Sequence, residues 1–411
     1  MLRRRLDSGI PAPVDAGKTP HVVAVFLRWI WWRAVLHNGW WLVTSIYLVV
    51  DADLSPSQLV LIGVGQAIVA LVFEVPAGVL ADTISRKWSL VVSHLLMGTA
   101  MLATGLVTDF PSLVATQMLW GLSWTFASGA DVAWITDEFD EPGRISVVLM
   151  RSGRVQLLGA AAGILGVGAL AAVTQRSTAM VLAGAAMLLL GLYVALRFPE
   201  QRFIPASTRR VSASWSILVR GFRLVRRSRA ILLMFAAWFL VNGAAIASGR
   251  LQARRLVDLG LPSDPVVWFT ALGVLTLLVG AGALRVMERH IEGTRTALRG
   301  YAIACTAGAV GLIVLAGAPE GVSGSAAVLL VAGIALPLTR TLGTIWLNRQ
   351  TSSDVRATVH SLLAQAEYTG EIACGLGVAA VARFAGLSAA LLTGAALFAL
   401  AVFITASVRS R

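Results

Sequence analysis

The sequence predicts an all-α membrane protein of twelve transmembrane helices arranged as two six-helix bundles. Three observations carry that expectation: the scarcity of charge, the length of the apolar runs, and the sidedness of the basic residues. The 411 residues are 57% hydrophobic and 13% charged, with a mean hydropathy of +0.78. A soluble domain carries about 25% charged residues, so this chain cannot cover itself for water and its solvent is lipid. In lipid each span satisfies its own backbone hydrogen bonds, which leaves helices or a closed barrel. The apolar runs are roughly 20 residues long, enough for a helical crossing, and lack the ten-residue alternation of barrel strands.

A polar tail over 1–20, containing Arg3, Arg4 and Arg5, precedes the first run. No apolar core or small-residue cleavage site follows it closely, so a cytoplasmic tail is expected rather than a signal peptide. Apolar windows at 24–50, 58–81, 88–108, 112–136, 145–173 and 178–198 make a first bundle over 21–198. A basic linker over 199–229 leads to windows at 230–250, 265–287, 296–317, 325–347, 357–382 and 386–408, a second bundle over 230–411. The 230–250 window stops at Arg250, Arg254 and Arg255, and 296–317 is rich in glycine, so these two are the weakest spans.

Basic residues accumulate in cytoplasmic loops of membrane proteins. Both termini inside places Arg86, Lys87, Arg144, Arg151, Arg154, the linker arginines, Arg285, Arg289, Arg295, Arg299, Arg349 and Arg356 on the cytoplasmic face. Only Arg176, Arg250, Arg254, Arg255 and Arg383 oppose that choice, out of 34 basic residues. The net charge of +13 is therefore a topology signal with some attraction to anionic lipid, not a nucleic-acid footprint. A multi-pass protein of the cell membrane is expected. Both cysteines, Cys305 and Cys374, fall in apolar runs, so neither a disulfide framework nor metal-ligand spacing is indicated.

Between the second and third spans stands Gly78-Val79-Leu80-Ala81-Asp82-Thr83-Ile84-Ser85-Arg86-Lys87, preceded by Glu74-Val75-Pro76-Ala77. This segment resembles the loop signature of the major facilitator superfamily, G-x-L-a-D-r-x-G-r-k/r, after an E-x-P-x-G entry found in its drug-exporter branches. Thr83 and Ser85 depart from the pattern. Ser128-Gly129-Ala130-Asp131 through Asp137-Glu138, and Leu347-Asn348 with Arg356-Ala357-Thr358-Val359-His360-Ser361, resemble further segments of bacterial members. The resemblance implies alternating access by two rocking halves. It also implies a conformational latch of Gly78, Asp82, Arg86 and Lys87, with Asp82 beside the start of the eleventh helix when the cytoplasmic side is closed. Gly78 would allow a close helix approach, as small residues do in membranes. Two antiporter features are incomplete: Gln117 stands where a fourth-helix arginine is common, and Ile164 replaces the proline beside Gly159, Gly163 and Gly166.

Ionisable groups inside the membrane cost roughly 2.5–3.5 kcal/mol each on insertion scales, so each needs a reason. Arg33 and His37 share a helical face with Trp40, Trp41 and Thr44. Arg33 either snorkels to the interface or faces a cavity, and His37 is either a cavity group or a helix-contact histidine. Glu74 is either a packing carboxyl or a proton-exchanging one, since burial favours the uncharged form of a carboxyl. Trp120, Trp124 and Asp131 fall near one face of a continuous fourth helix and could hold a cationic amphiphile; a lipid-facing tryptophan with Asp131 bonded to a neighbouring helix is the alternative. Glu367 and Glu371, four apart, would face Arg340 on the adjacent helix as a structural or a switching pair.

A secondary transporter is expected, exporting amphipathic organic molecules with protons. Uptake of a nutrient or metabolite is the alternative, and a non-transporting receptor a distant one. Its partners are a small-molecule substrate, protons and membrane lipid, with no nucleic acid, and a monomer is expected. No nucleotide-binding loop, nucleophile–base pair or metal-ligand set appears, so neither ATP, a cofactor nor enzymatic chemistry is expected.

Overall fold

The computed structural model describes residues 18–139, 141, 144–205, 223, 225–291, 293–352 and 356–408. Most of the N-terminal tail, the middle of the basic linker and the last three residues lie outside these. Helices dominate, and no strand occurs among the described residues. They are α1 (Lys18–Val50), α2 (Pro56–Thr83), α3 (Arg86–Thr104), α4 (Phe110–Ala127), α5 (Ala130–Phe139), α6 (Ile145–Val173) and α7 (Arg176–Arg197). Beyond the linker come α8 (Arg229–Asp258), α9 (Pro265–Glu288), α10 (Thr294–Gly317), α11 (Gly321–Val328), α12 (Leu336–Gln350) and α13 (Arg356–Ala406).

Local signals account for many boundaries. Ser55 starts α2 by accepting the Gln58 N–H while the Gln58 side chain returns to the Ser55 N–H, and Pro56 fills the first helical position. The side chains of Ser85, Asp109, Ser228 and Asp264 each accept one backbone N–H at the start of α3, α4, α8 and α9. The fourth window is not one helix. Gly129 adopts φ 73°, a left-handed geometry that suits glycine, and the chain breaks between α4 and α5. The tenth window is also composite. Pro337 offers no N–H and crowds the carbonyl four residues back, Gly333. The backbone over Leu329–Ala335 widens into a π-turn, with the Leu336 N–H reaching Val331 O five residues away.

At 1.5 Å per residue, a straight helix of 51 residues would run about 76 Å, more than twice the apolar core of a bilayer. α13 has that length but is broken at Gly386, where φ 85° and ψ 178° end one helical stretch and begin another. Eight helical runs are long and apolar enough to cross a membrane among the described residues. α1, α3 and α4 reach crossing length too, but their Trp, His, Ser, Gln and Arg content dilutes their hydropathy.

The seventh window continues beyond its expected end. α8 runs to Asp258, so Arg250, Arg254 and Arg255 belong to a helix and not to an outside loop. Arg254 bridges Asp258 at 3.0 Å and Asp53 at 2.7 Å, while Arg255 donates to the carbonyls of Leu315, Ala316 and Ala318 at the end of α10. The guanidinium groups of Arg254 and Arg255 are satisfied by neighbours, which lets the helix extend through a cluster that hydropathy alone reads as a stop.

Packing repeats between the first and second halves of the chain. α1 lies along α6, and α8 lies along α13. Both seams depend on glycine: Gly163 presses on the Val35 backbone, and Gly370 on the Phe239 backbone, with Gly39 and Gly243 on the facing helices. Small residues supply this close approach where lipid provides no hydrophobic drive between helices. Across the halves, α2 packs on α8 and α13, and α6 on α9.

Candidate functional site

Between the two sets of helices lies a cavity of about 810 Å³, within the range that accepts a drug-sized ligand. One end is tight. There Arg254 reaches Asp53 and the Leu54 carbonyl, Arg250 donates to Gln66, Ile246 covers Gly63, and Val64 covers Gly375. The cavity continues from that seal toward the opposite, basic end, where the exposed residues Ser128, Gly129 and Arg340 line its mouth. Gly78 and Gly153, near the basic end, have open space where a side chain would stand.

One wall is aromatic. Trp41, Trp120 and Trp124 line the cavity, with Trp41 stacked on Trp120 at 5.0 Å and Trp124 edge-on to Trp120 at 5.8 Å. His37 lies behind them and not in the lining, stacked on Trp120 at 5.5 Å and edge-on to Trp124 at 5.0 Å. The indole N–H groups of Trp120 and Trp124 and the His37 Nδ1 are buried without a partner among the described residues.

Arg33 does not snorkel. It pairs with Asp131 at 3.2 Å, and its guanidinium lies 4.7 Å from the Trp124 ring and 5.1 Å from Trp29. Asp131 reaches this place from α5, across the break at Gly129, and not from a continuous fourth helix. Glu74 accepts a hydrogen bond from Ser128 Oγ at 2.7 Å and another from the Tyr368 hydroxyl of the second half at 3.5 Å. Glu367 accepts from Arg340 at 2.6 Å and from the Trp238 indole at 3.2 Å. The expected three-membered cluster is thus a pair. Glu371, one turn further on, lines the cavity but is bonded to neither Arg340 nor Glu367.

The signature loop sits at the basic end, away from the cavity. Arg86 donates to the Ala133 carbonyl at 3.0 Å, pairs with Asp137, and lies 3.6 Å from Asp82. Asp82 is 60% exposed and Gly78 touches no neighbouring helix, so the close approach expected of Gly78 is not made. That end of α2 faces open space because the contacts between the halves gather at the tight end.

Residues to which sequence reasoning gave no role complete this region. Glu200, beyond α7, accepts from Ser85 Oγ at 2.6 Å and from the Lys87 N–H at 2.9 Å, placing a carboxylate at the start of α3. Such a contact contributes about 0.3–1 kcal/mol. Glu138 accepts the N–H groups of Gln201 and Arg202, and Trp134 stacks on Phe198 at 4.1 Å while donating to the Pro199 carbonyl. Together they tie the signature loop to α5 and to the entry of the linker. Inside the cavity the overlooked residues are Gln66, Arg250 and Tyr368. A polar side chain in an apolar run was the available signal for all three.

The Major Facilitator Superfamily pattern matches residues 33–373. The chain is 22% identical over 350 residues to an uncharacterized MFS-type transporter, YxaM, of Bacillus subtilis strain 168, spanning 84% of this chain and 85% of that one. Its fold is similar to the crystal structure of the nucleoside transporter NupG, with a TM-score of 0.74 and 15% identity, covering 94% of this chain and 98% of that one. It is also similar to a POT family transporter solved with a thioalcohol-conjugated peptide, with a TM-score of 0.72 and 12% identity over 93% of this chain and 94% of that one. A helical multi-pass architecture, a matching pattern over most of the length and a transporter fold agree: this chain belongs to the Major Facilitator Superfamily.

Proposed function

We propose that this protein is a secondary active transporter that exports amphipathic small organic molecules in exchange for protons, working by alternating access. Twelve spans follow if α4–α5 and α11–α12 each count as one crossing and α13 as two, meeting at Gly386. The halves over 21–198 and 230–411 then rock about the cavity as two six-helix bundles in a monomer, with both termini cytoplasmic. The repeated glycine seams support that division, since each fixes one half internally. On this topology the basic end is cytoplasmic and the structure faces inward.

The observation that carries the reading is the cavity, sealed at one end and lined by Trp41, Trp120 and Trp124 together with the carboxyl groups of Glu74, Glu367 and Glu371. Tryptophan faces attract organic cations, by about 0.5–2 kcal/mol depending on desolvation. Acids in the same space offer places for a proton to replace the substrate. Uptake of a nutrient or metabolite is the second reading, and the cavity's neutral polar groups, Asn38, Gln66 and Thr276, favour it.

Purified protein in vesicles tests the proton exchange. With an imposed pH gradient, uptake of an amphipathic cation such as ethidium should accompany a matching loss of the gradient. Glu371→Gln should reduce gradient-driven accumulation at least tenfold. Accumulation that survives collapse of the gradient would remove proton coupling from the proposal.

The latch is proposed for the state in which the basic end closes and Asp82 meets the start of α13. Asp82→Asn should slow turnover several-fold in the same vesicles while leaving the yield of folded protein unchanged. Wild-type turnover in that variant would show that Asp82 has no such role.

A further inference from the structure

Three arginines line the cavity, and two of them are neutralised: Arg33 by Asp131 at 3.2 Å and Arg340 by Glu367 at 2.6 Å. Arg250 is different. It sits in α8 near the tight end, only 9% exposed. Its guanidinium donates to the Gln66 side-chain oxygen and lies 4.7 Å from the Trp41 ring, and it forms no ion pair among the described residues. A buried charge without a counter-ion costs several kcal/mol, and an intramembrane charge is by default a functional group.

Its surroundings hold it in position. Gln66 donates from its amide nitrogen to Gln117 at 3.1 Å, and Gln117 donates to Thr104 at 3.2 Å. This chain fixes the amide so that the Gln66 oxygen faces the guanidinium. Trp41 supports the flat face of that group. The edge left over is a fork of N–H donors, the geometry that takes a carboxylate through two parallel hydrogen bonds. Glu371 is the carboxylate within Coulombic range of Arg250, and it has no hydrogen-bond partner of its own among the described residues. The cavity therefore presents a cation and an anion on the adjacent helices α8 and α13, neither held in an ion pair among the described residues, with Trp41 against the cation.

We propose that Arg250 is the receptor for an acidic group on the substrate, so that the preferred substrate is an aromatic zwitterion whose cationic group faces Glu371. The inference rests on the cavity being the substrate site of the transporter proposed above, and it narrows that substrate from an amphiphile to one carrying both charges.

The test uses the full chain in detergent and three probes of one shape: phenylalanyl-phenylalanine, its C-terminal amide, which is only a cation, and its N-acetyl form, which is only an anion. Melting followed by circular dichroism over a range of probe concentrations reports affinity, because a ligand of the native state stabilises it by mass action. The zwitterion should bind at least tenfold more tightly than either derivative. Arg250→Gln should lower its affinity to that of the amide while leaving the amide unchanged, and Arg250→Lys should restore part of the preference. Equal affinity for acid and amide in the wild type would overturn the proposal, as would no binding of any probe. An Arg250→Gln variant weakened equally toward all three would also overturn it, by showing a purely structural role. If that variant does not fold, the wild-type comparison of acid with amide still decides. Binding in detergent needs no gradient and no alternation. The expected probe preference without vesicle transport would leave this assignment standing and sink the transport cycle; transport without the preference would do the reverse.

Discussion

Gly163→Val is expected to abolish recovery of folded protein. The Cβ of any side chain at 163 would collide with the Val35 carbonyl of α1, and the facing Gly39 is equally crowded by the Gly163 carbonyl and Val167. The obstacle is backbone, so it cannot rotate away. Overpacking a core costs typically about 1–3 kcal/mol even when side chains can yield, and here two whole helices must separate. Size-exclusion chromatography in mild detergent should show loss of the monodisperse peak for Gly163→Val. Gly159→Ala meets the Trp31 carbonyl at 2.9 Å and should be harmed less. Gly166→Ala meets nothing within 4 Å and should match the wild type. Wild-type behaviour of Gly163→Val would mean that α1 and α6 do not meet at this seam.

The second large effect is expected at Asp131. Asn in its place leaves Arg33 as an uncompensated cation, with the pair's side chains only 12% and 20% exposed. Breaking a buried pair from one side costs on the order of 3–5 kcal/mol, and the cost falls toward the lower bound because the cavity admits water. The melting temperature should drop by several degrees and transport should be lost. The double variant Arg33→Met with Asp131→Leu separates the two roles. Apolar replacement of both partners is often neutral for stability, so it should melt near the wild type yet remain inactive. Comparison of the single and double variants gives the coupling energy of the pair. An Asp131→Asn variant that melts like the wild type would show that the pair contributes nothing.

Much of this fold was legible in the sequence because the apolar runs that place helices are local signals. The two composite spans were not. Ser128 and Gly129 lie in an apolar window where a helix tolerates them, and only Gly129's left-handed backbone marks the break. Pro337 was visible, but its consequence, a widened turn six residues upstream, depends on the backbone finding an alternative bond. Arg254 and Arg255 misled the span reading for a related reason: hydropathy charges each arginine its full cost, whereas Asp53, Asp258 and the α10 carbonyls meet much of it. Among the candidate residues, the apolar windows put Arg33, Glu74 and Glu371 on helices that line the cavity, whereas Asp131 stands on α5 and not on the continuous fourth helix expected. It could not pair Arg33 with a residue 98 positions away, nor bring Glu200 to Lys87 across 113. Such partnerships are set by how helices stack, which one sequence does not encode locally.

The ion pair at the tight end has a consequence for how the protein rests. Asp53 is 82% exposed, and an exposed pair is worth only about 0–1 kcal/mol. A tenfold change in the ratio of two conformations needs about 1.4 kcal/mol. The pair between Arg254 and Asp53 is thus a bias on the seal and not its main fastening, which falls to Ile246 over Gly63 and Val64 over Gly375. Salt shortens electrostatic reach to about 8 Å at physiological strength and about 3 Å at 1 M. On the proposed topology, the ionic strength of the solution bathing that face would act as a fine adjustment on the seal, exerted from the end opposite the cavity's mouth.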